Sequence, residues 1–126
     1  MMYDTDILIW VQRGSKKAAR LIEKDQDKYL SIQSFMELLQ GAKNKVHHKY
    51  VKDFICDFNF SILPLSENIG HRALIYVEEH ALSSNMRAGD AIIAATAVER
   101  NLKLVSSNTK HFRPVRELQL KPFKPV

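Results

Sequence analysis

Short strand-like segments alternate with longer helical stretches along the whole of this 126-residue chain. Such alternation is typical of α/β proteins, in which helices cover both faces of a parallel sheet. At 14.5 kDa the chain is long enough for one core and too short for two. The sequence therefore predicts one domain over residues 1–126, a three-layer α/β/α sandwich with a parallel sheet. The predicted strands are 1–3, 28–32, 60–63, 102–105 and 117–120, the last followed by a basic tail.

Helices are predicted between the strands from apolar periodicity and from capping residues. Gly14 is expected to end the first helix, and Ser66 to cap the longest one. Ser34 and Glu37 have the Ser-x-x-Glu spacing of a capping box. The predicted helices are about 7–11, 15–24, 34–42, 46–58, 66–81 and 90–101.

Two helices are expected to bury a particular set of side chains. Cys56, the only cysteine, lies in the helix 46–58 and is expected to be buried and inert. The longest helix should turn Ile69, Ala73, Leu74 and Val77 inward. The apolar stripe of the helix 46–58 consists of Val46, Tyr50, Val51, Phe54, Ile55 and Phe58.

Composition excludes several classes of protein. A single cysteine provides neither a disulfide framework nor a thiolate zinc cluster. No apolar run is long enough to span a bilayer, and the start of the chain lacks the features of a secretory signal. We therefore expect a cytoplasmic protein. The net charge is +5, and most of it lies in residues 110–126, which carry five basic residues against Glu117.

Polar side chains follow several of the predicted strands at the point where each strand ends. Asp4 follows the first strand, Glu37 lies in the helix after the second, and Asn108 follows the fourth. Ligand sites of open parallel sheets lie beyond the carboxyl ends of the strands, so these residues should converge. Asp90 opens an otherwise apolar, alanine-rich helix, and Asp6 lies close to Asp4 in sequence.

Carboxylates with a short amide nearby are the ligands that Mg²⁺ or Mn²⁺ prefers. Such an ion activates water and neutralises charge on a reacting phosphoryl group. Each residue also has a structural explanation. Asp4 and Asp6 would cap the first helix, Asp90 would complement its helix dipole, Glu37 would complete the capping box, and Asn108 would occupy a turn in left-handed geometry.

Four motifs of the chain resemble those of PIN-domain ribonucleases, and among these the VapC toxins of prokaryotic toxin–antitoxin pairs. The resemblance implies the strand order 3-2-1-4-5, Mg²⁺- or Mn²⁺-dependent cleavage of RNA, a homodimer, and inhibition by a VapB-type antitoxin whose tail enters the acidic groove. It implies that Asp4, Glu37 and Asp90 hold the metal. It also implies that Asn108 is a catalytic residue, and that Asp6 and Ser106 contact the metal-binding residues without binding the metal themselves. The motifs are Tyr3–Ile9, Glu37–Gly41, Asp90–Ala97 and Leu104–Phe112.

The sequence thus predicts a metal-dependent endoribonuclease in which a metal-activated water attacks phosphorus. Lys110, Arg113 and Arg116 are candidates for contacts to the RNA backbone, although they also fit a solvated basic face. A nucleic-acid-binding module with a vestigial acidic pocket is the alternative. A receiver-like signalling domain is a third possibility, but the sequence supplies no phosphoacceptor aspartate for it.

Overall fold

The central feature of the computed structural model, which describes residues 1–125, is a five-stranded sheet in the order β3-β2-β1-β4-β5. All four strand pairings are parallel. The expected α/β architecture and strand order are therefore confirmed. Val126, the end of the predicted basic tail, lies outside the described residues. The strands are β1 (Met2–Tyr3), β2 (Tyr29–Ser31), β3 (Ser61–Leu63), β4 (Leu104–Ser106) and β5 (Leu120–Pro122).

Helices follow every strand except β5 and flank the sheet. The first two, α1 and α2, lie between β1 and β2, and α7 is a single turn after β4. None of the helices in residues 1–125 is long and apolar enough to cross a membrane. The helices are α1 (Thr5–Gln12), α2 (Lys16–Lys24), α3 (Ile32–Gln40), α4 (Lys45–Asp57), α5 (Glu67–Ser84), α6 (Ala88–Glu99) and α7 (Thr109–Phe112).

The sheet separates two hydrophobic cores, one on each face. Successive residues of a strand point to opposite faces. Met2 and Leu104 accordingly lie in the core beneath α5 and α6, whereas Tyr3 and Val105 lie in the core beneath α1–α4. Helix α6 is buried on most of its surface, and its alanines let α5 pack closely against it. The resulting layers hold the carboxyl ends of β1 and β4 side by side.

The last strand was predicted at 117–120, but β5 lies about three residues later, at Leu120–Pro122. The segment 117–119 makes a turn instead, in which the Leu118 N–H donates to the Val115 carbonyl at 3.2 Å. The Leu118 side chain is buried in the core beneath α5 and α6. Pairing of Leu104 with Leu120 then fixes the register of β5. An alternating polar–apolar pattern fits either arrangement, so the tertiary contacts decide between them.

The predicted capping box of α3 is wrong. Ser31, at the end of β2, is the N-cap, and its hydroxyl accepts a hydrogen bond from the Ser34 N–H at 3.0 Å. Ser34 is a buried residue inside the helix. The strand runs directly into the helix, so the cap lies three residues earlier than the motif suggested. Glu37 is thereby free of a capping role.

The expected buried stripe of α4 is only half buried. Val46 is 80% exposed and Tyr50 is 47% exposed, because the first turns of the helix extend beyond the core. Val51, Phe54 and Ile55 pack inward. Cys56 is exposed rather than buried, since it lies 100° around the helix from Ile55.

The long helix α5 also departs from the prediction at one position. Ile69 and Ala73 are buried as expected, but Leu74 is 58% exposed. Tyr76 takes the inward position instead. Its hydroxyl bonds Glu117, which explains how a polar aromatic side chain is accommodated there.

Candidate active site

Asp4 occupies the centre of the sheet edge. Strand β1 ends immediately before it, and its Oδ1 caps α1 by accepting a hydrogen bond from the Thr5 N–H at 2.8 Å. Its Oδ2 accepts a bond from the Ser106 hydroxyl at 2.7 Å. The same Ser106 oxygen accepts the Asn108 N–H at 2.9 Å. Asp4 is only 6% exposed, so the carboxylate is held by both central strands and largely removed from water.

The pKa of Asp4 is raised from its ordinary value to about 7. Burial is the main cause, and the nearby negative charge of Asp6 adds to it. Hydrogen bonds from Ser106 and Thr5 act in the opposite direction, and Asp90 contributes a further small increase. Burial and the charges of Asp6 and Asp90 therefore disfavour the ionised form of Asp4 at this edge.

Asp6 lies in the first turn of α1 and faces the loop after β4. Its Oδ2 accepts hydrogen bonds from both the backbone N–H and the hydroxyl of Ser107, the former at 3.0 Å. Its Oδ1 is buried and has no hydrogen-bond partner within residues 1–125. An unpartnered buried carboxylate oxygen is costly. A cation or a water bound at this position would satisfy it.

Glu37 is fixed by two side chains, Thr5 on the neighbouring helix α1 and Gln33 one turn earlier in its own helix α3. Its Oε1 accepts a hydrogen bond from the Thr5 hydroxyl at 2.6 Å, and its Oε2 accepts one from Gln33 Nε2 at 3.0 Å. Gly89 in α6 approaches so closely that a Cβ built there would lie 2.7 Å from Glu37 Oε2. Glu37 thus meets the N-terminus of α6, the helix that carries Asp90.

Asp90 lies in the first turn of α6, where its Oδ2 accepts a hydrogen bond from the Arg87 N–H at 3.3 Å. The expected placement at a helix N-terminus is confirmed. His111 in α7 brings its Nδ1 within 3.4 Å of Asp90 Oδ2. This Nδ1 is buried and makes no hydrogen bond within residues 1–125. Asp90 and His111 therefore face each other between α6 and α7. We refer to Asp4, Asp6, Glu37 and Asp90 together as the acidic pocket.

Asn108 begins α7 as its N-cap, with an exposed side chain that makes no capping bond. Its φ of −90° is not left-handed, so the turn explanation in that form is wrong. Ser106, by contrast, is completely buried behind Asp4. Asn108 lies beside the acidic residues, because its backbone N–H donates a hydrogen bond to the Ser106 hydroxyl that contacts Asp4.

The three basic candidates all lie on the exposed surface beyond the pocket. Lys110 belongs to α7, and Arg113 follows it directly. Arg116 lines a separate groove that also contains Glu79 and Glu117. The structure therefore does not bring the three into one groove.

A groove opens beside Glu37, between α1, α3 and α4, with a volume of about 510 Å³. Its walls carry both apolar and basic side chains, with Glu37 at one end. The lining residues are Ile9, Gln12, Arg13, Glu37, Leu38, Gly41, Lys43, His47 and Tyr50.

A divalent cation such as Mg²⁺ needs oxygen donors, and the acids at this edge of the sheet are the candidates. Among residues 1–125, no group of three His, Cys, Asp or Glu side chains is close enough to hold a metal ion as arranged. Mg²⁺, however, is usually bound by one or two carboxylates and keeps several waters. The crowded charges of Asp4, Asp6 and Asp90 and the unpartnered Asp6 oxygen meet that need. The residues present therefore fit a partly hydrated Mg²⁺ or Mn²⁺.

Sequence reasoning missed four residues of this network: Thr5, Gln33, Ser107 and His111. Thr5 lies between two expected acids, Ser107 lies between Ser106 and Asn108, and Gln33 precedes Glu37 by one helical turn. His111 follows Asn108 by three residues, which places it one turn along α7. The Gln33 contact could have been found from this i,i+4 spacing, whereas the roles of Thr5, Ser107 and His111 depend on contacts between separate elements.

Comparisons with known proteins agree with this architecture. The PIN domain family model matches residues 1–118. Ribonuclease VapC10 of Mycobacterium tuberculosis is 32% identical over 126 residues, covering 97% of this chain and 91% of that protein. A toxin–antitoxin complex from Klebsiella pneumoniae contains a chain with 28% identity and a TM-score of 0.76, with coverage of 99% and 97%.

A more distant structure shows the same fold. The VapBC2 complex of Rickettsia felis, bound to a DNA fragment from its promoter, matches with a TM-score of 0.80 at 20% identity and covers 98% of both chains. The family model spans nearly the whole sequence, and the mycobacterial relative aligns over almost its full length. This chain therefore belongs to the PIN-domain family and, within it, to the VapC-type ribonucleases of toxin–antitoxin pairs.

Proposed function

We propose that this chain is a divalent-metal-dependent endoribonuclease, the toxin of a VapBC-type pair. The observation that carries the proposal is the Asp4 carboxylate, which is buried beside Asp6 and Asp90 with its pKa raised to about 7. A carboxylate in such surroundings is poorly stabilised as an anion. A bound cation would remove that penalty, and phosphodiester hydrolysis is the chemistry that an acid-bound cation supports.

Asp4, Glu37 and Asp90 are the proposed metal-binding residues, and Asn108 completes the catalytic set. When bound, Mg²⁺ or Mn²⁺ lowers the pKa of water and offsets charge on the phosphoryl oxygens. Asp6 and Ser106 are proposed to orient these residues without binding the metal themselves. Ser106 acts through its hydrogen bond to Asp4, and Asp6 acts through the hydrogen bond that it accepts from Ser107. Hydrogen bonds of this kind to a metal-binding carboxylate fix the direction of its lone pairs.

The reaction forms a bond from a water oxygen to phosphorus and breaks the phosphorus–oxygen ester bond of the RNA, and the departing RNA oxygen takes a proton from solvent water. We assign the proton of the attacking water to Asp90, whose side chain is 22% exposed and so can pass it to solvent. Asp4 is nearly sealed from solvent and serves to hold charge rather than to exchange protons with bulk water. Lys110, Arg113 and Arg116 are proposed to contact the RNA backbone.

We further propose two protein partners, a second copy of this chain and a VapB-type antitoxin. Ile75 and Leu82 are 49% and 102% exposed and lie seven residues apart on one face of α5. Exposed apolar patches of this kind mark interaction sites, and we assign this one to the homodimer. The groove beside Glu37 is proposed to receive the antitoxin, as its apolar and basic walls would take a mixed peptide segment.

One observation favours a second candidate function, a nucleic-acid-binding module whose acidic pocket is vestigial. No three acidic or histidine side chains of residues 1–125 are gathered into a ready metal site. In that case RNA would bind through basic residues alone, with a steep salt dependence and no cleavage.

Cleavage of structured RNA, tRNA included, by purified protein with Mg²⁺ or Mn²⁺ separates the two functions. We expect cutting that EDTA and Asp90→Asn both abolish. Asp57→Asn, which removes an exposed acid of α4, is the matched control and should cut normally. Calorimetric titration with Mn²⁺ gives a second readout, and Asp4→Asn should weaken that binding. Cutting that survives Asp90→Asn would refute the assigned site, whereas RNA binding without cutting would favour the module.

A further inference from the structure

A second groove, of about 370 Å³, lies between α2 and the end of β5. We call it the α2–β5 groove. Leu21 and Phe123 provide its apolar surface, and Phe123 is only 6% exposed. Its remaining walls are strongly basic. The residues that line it are Lys17, Arg20, Leu21, Lys24, Lys121, Pro122, Phe123 and Lys124.

Five cationic side chains and no acidic one line this groove. None of the five forms an ion pair with an Asp or Glu of residues 1–125. Lys17 is positioned instead by the Phe123 ring, whose centroid lies 5.3 Å from its Nζ, and by the Lys124 carbonyl. A groove lined by one sign of charge concentrates the field and attracts a ligand of opposite charge.

The groove is joined to the candidate active site by the sheet itself. The Phe123 N–H donates to the Ser106 carbonyl at 2.9 Å, and the Ser106 hydroxyl donates to Asp4. Adjacent strands lie about 4.8 Å apart. Because β4 lies between β5 and β1, the floor of the groove begins two strand spacings, roughly 10 Å, from Asp4.

We propose that the α2–β5 groove binds the phosphate backbone of single-stranded RNA and holds the substrate beside the acidic pocket. The inference rests on the proposed ribonuclease function and adds the surface that the substrate uses. Carboxylates in the pocket repel phosphates. A nuclease of this kind therefore needs its cations outside the pocket, on a surface continuous with it.

The groove suits this role better than the basic residues expected from the sequence. Arg116 shares its groove with Glu79 and Glu117, which offset its charge. The α2–β5 groove has no such acids, and its buried aromatic residue lies at the floor, where it supports a cation rather than a base. We accordingly infer contacts to phosphates and little discrimination among bases.

Binding of a fluorescent single-stranded RNA of uniform sequence, measured in EDTA over a range of salt, tests the inference without cleavage. The groove variant combines Arg20→Gln, Lys24→Gln and Lys121→Gln. The side chains of these three residues make no hydrogen bond or ion pair within residues 1–125, so their replacement should leave the fold intact. Losing three phosphate contacts lowers the slope of log K against log salt by about 2 for a single strand. We expect that change together with a loss of affinity of at least about tenfold at low salt.

The matched control combines Lys52→Gln, Arg100→Gln and Lys103→Gln, which removes the same charge elsewhere. Arg100 and Lys103 precede β4 and so lie at the opposite edge of the sheet from Asp4. This control should keep nearly the wild-type slope. An equal loss of RNA affinity in both variants would show that only the net charge matters, and this would overturn the inference. Wild-type affinity and salt slope in the groove variant would also overturn it.

Two further outcomes separate this inference from the proposed function. If the groove variant loses RNA binding while wild-type protein cuts nothing with any metal, the groove inference holds and the ribonuclease proposal fails. If the groove variant binds and cuts RNA normally but loses affinity for polyglutamate, the groove takes an acidic polypeptide and the inference is wrong. Circular dichroism of both variants checks that the fold is intact.

Discussion

The Ser106 hydroxyl donates a 2.7 Å hydrogen bond to Asp4 Oδ2 across 102 residues of sequence. The contact joins the carboxyl ends of the two central strands. Both groups are buried, so neither has water as an alternative partner. This hydrogen bond therefore fixes the direction of the acid on which the proposed chemistry depends, and it opposes the rise in the pKa of Asp4 that burial causes.

Replacing Ser106 with alanine should raise the pKa of Asp4 further, because the lost hydrogen bond stabilises the carboxylate. We expect RNA cleavage to fall about 10- to 100-fold, the usual cost of losing a hydrogen bond that orients a metal-binding residue. The acidic limb of the pH–rate profile should move to higher pH. Ser106→Thr keeps the hydroxyl and should retain the wild-type profile. Normal cleavage by Ser106→Ala with an unshifted profile would contradict this role.

Gly89→Ala tests whether the close approach of α6 to Glu37 matters. The new Cβ would lie 2.7 Å from Glu37 Oε2 and 3.1 Å from Gln33 Nε2, so the ends of those flexible side chains must move. Alanine is also the better helix former, and we expect the stability to change by less than about 1 kcal/mol. Cleavage and Mn²⁺ affinity should fall together while thermal unfolding stays nearly unchanged. Gly70→Ala in α5, where a Cβ meets nothing within 4 Å, is the matched control.

Stability without metal should depend on the protonation of Asp4. Its pKa rises from 3.8 to about 7 on folding, so the folded protein holds this proton more tightly than the unfolded chain. This contribution to stability is complete below pH about 4 and is lost as pH rises through about 7. The loss is on the order of 4 kcal/mol.

Urea unfolding in EDTA, compared between wild type and Asp4→Asn, isolates that contribution from other titrating groups. The wild type should lose stability relative to the variant between pH about 4 and 7. Mg²⁺ at pH 8 should stabilise the wild type and leave Asp4→Asn unchanged. Parallel pH dependences for the two proteins would show that Asp4 ionises freely in the fold.

The exposed face of α5 should control self-association. Ile75→Glu combined with Leu82→Glu places two charges on the patch that we assign to the homodimer, and we expect a monomer by analytical ultracentrifugation. Val46→Glu, on α4, replaces another apolar residue that is 80% exposed and should leave the assembly unchanged. A monomeric wild type, or a double variant that still dimerises, would refute the assignment.

Local sequence patterns predicted most elements of the fold but not their edges. Ser66 was identified correctly as a cap because a serine before an amphipathic run has few alternatives. Ser34 was misassigned because Ser31, three residues earlier, competes for the same role. The boundary was decided by where β2 stops pairing with β3, which is a contact between strands distant in sequence.

The positions of Asp4, Glu37 and Asn108 were predicted from the rule that parallel strands end at one edge, whereas Asp90 was predicted only to open a helix and Asp6 to lie close to Asp4. The structure relates them through contacts that the rule did not specify. Thr5 and Gln33 hold Glu37, Ser107 holds Asp6, and His111 faces Asp90. Their catalytic and metal-binding roles stay predictions until the variants above are measured.

The sequence by itself determined the alternation of strands and helices and the burial of the sheet on both faces, since hydrophobic periodicity and capping are local properties. It also identified Asp4, Glu37 and Asp90 as the candidate metal-binding acids. Only the tertiary structure decided which hydroxyl holds which carboxylate, and that Val46 and Cys56 face solvent. It alone gathered five cations from α2 and the end of β5 into one groove. These features depend on contacts between elements that are up to about 100 residues apart in sequence. Chain connectivity leaves such contacts open until packing fixes them.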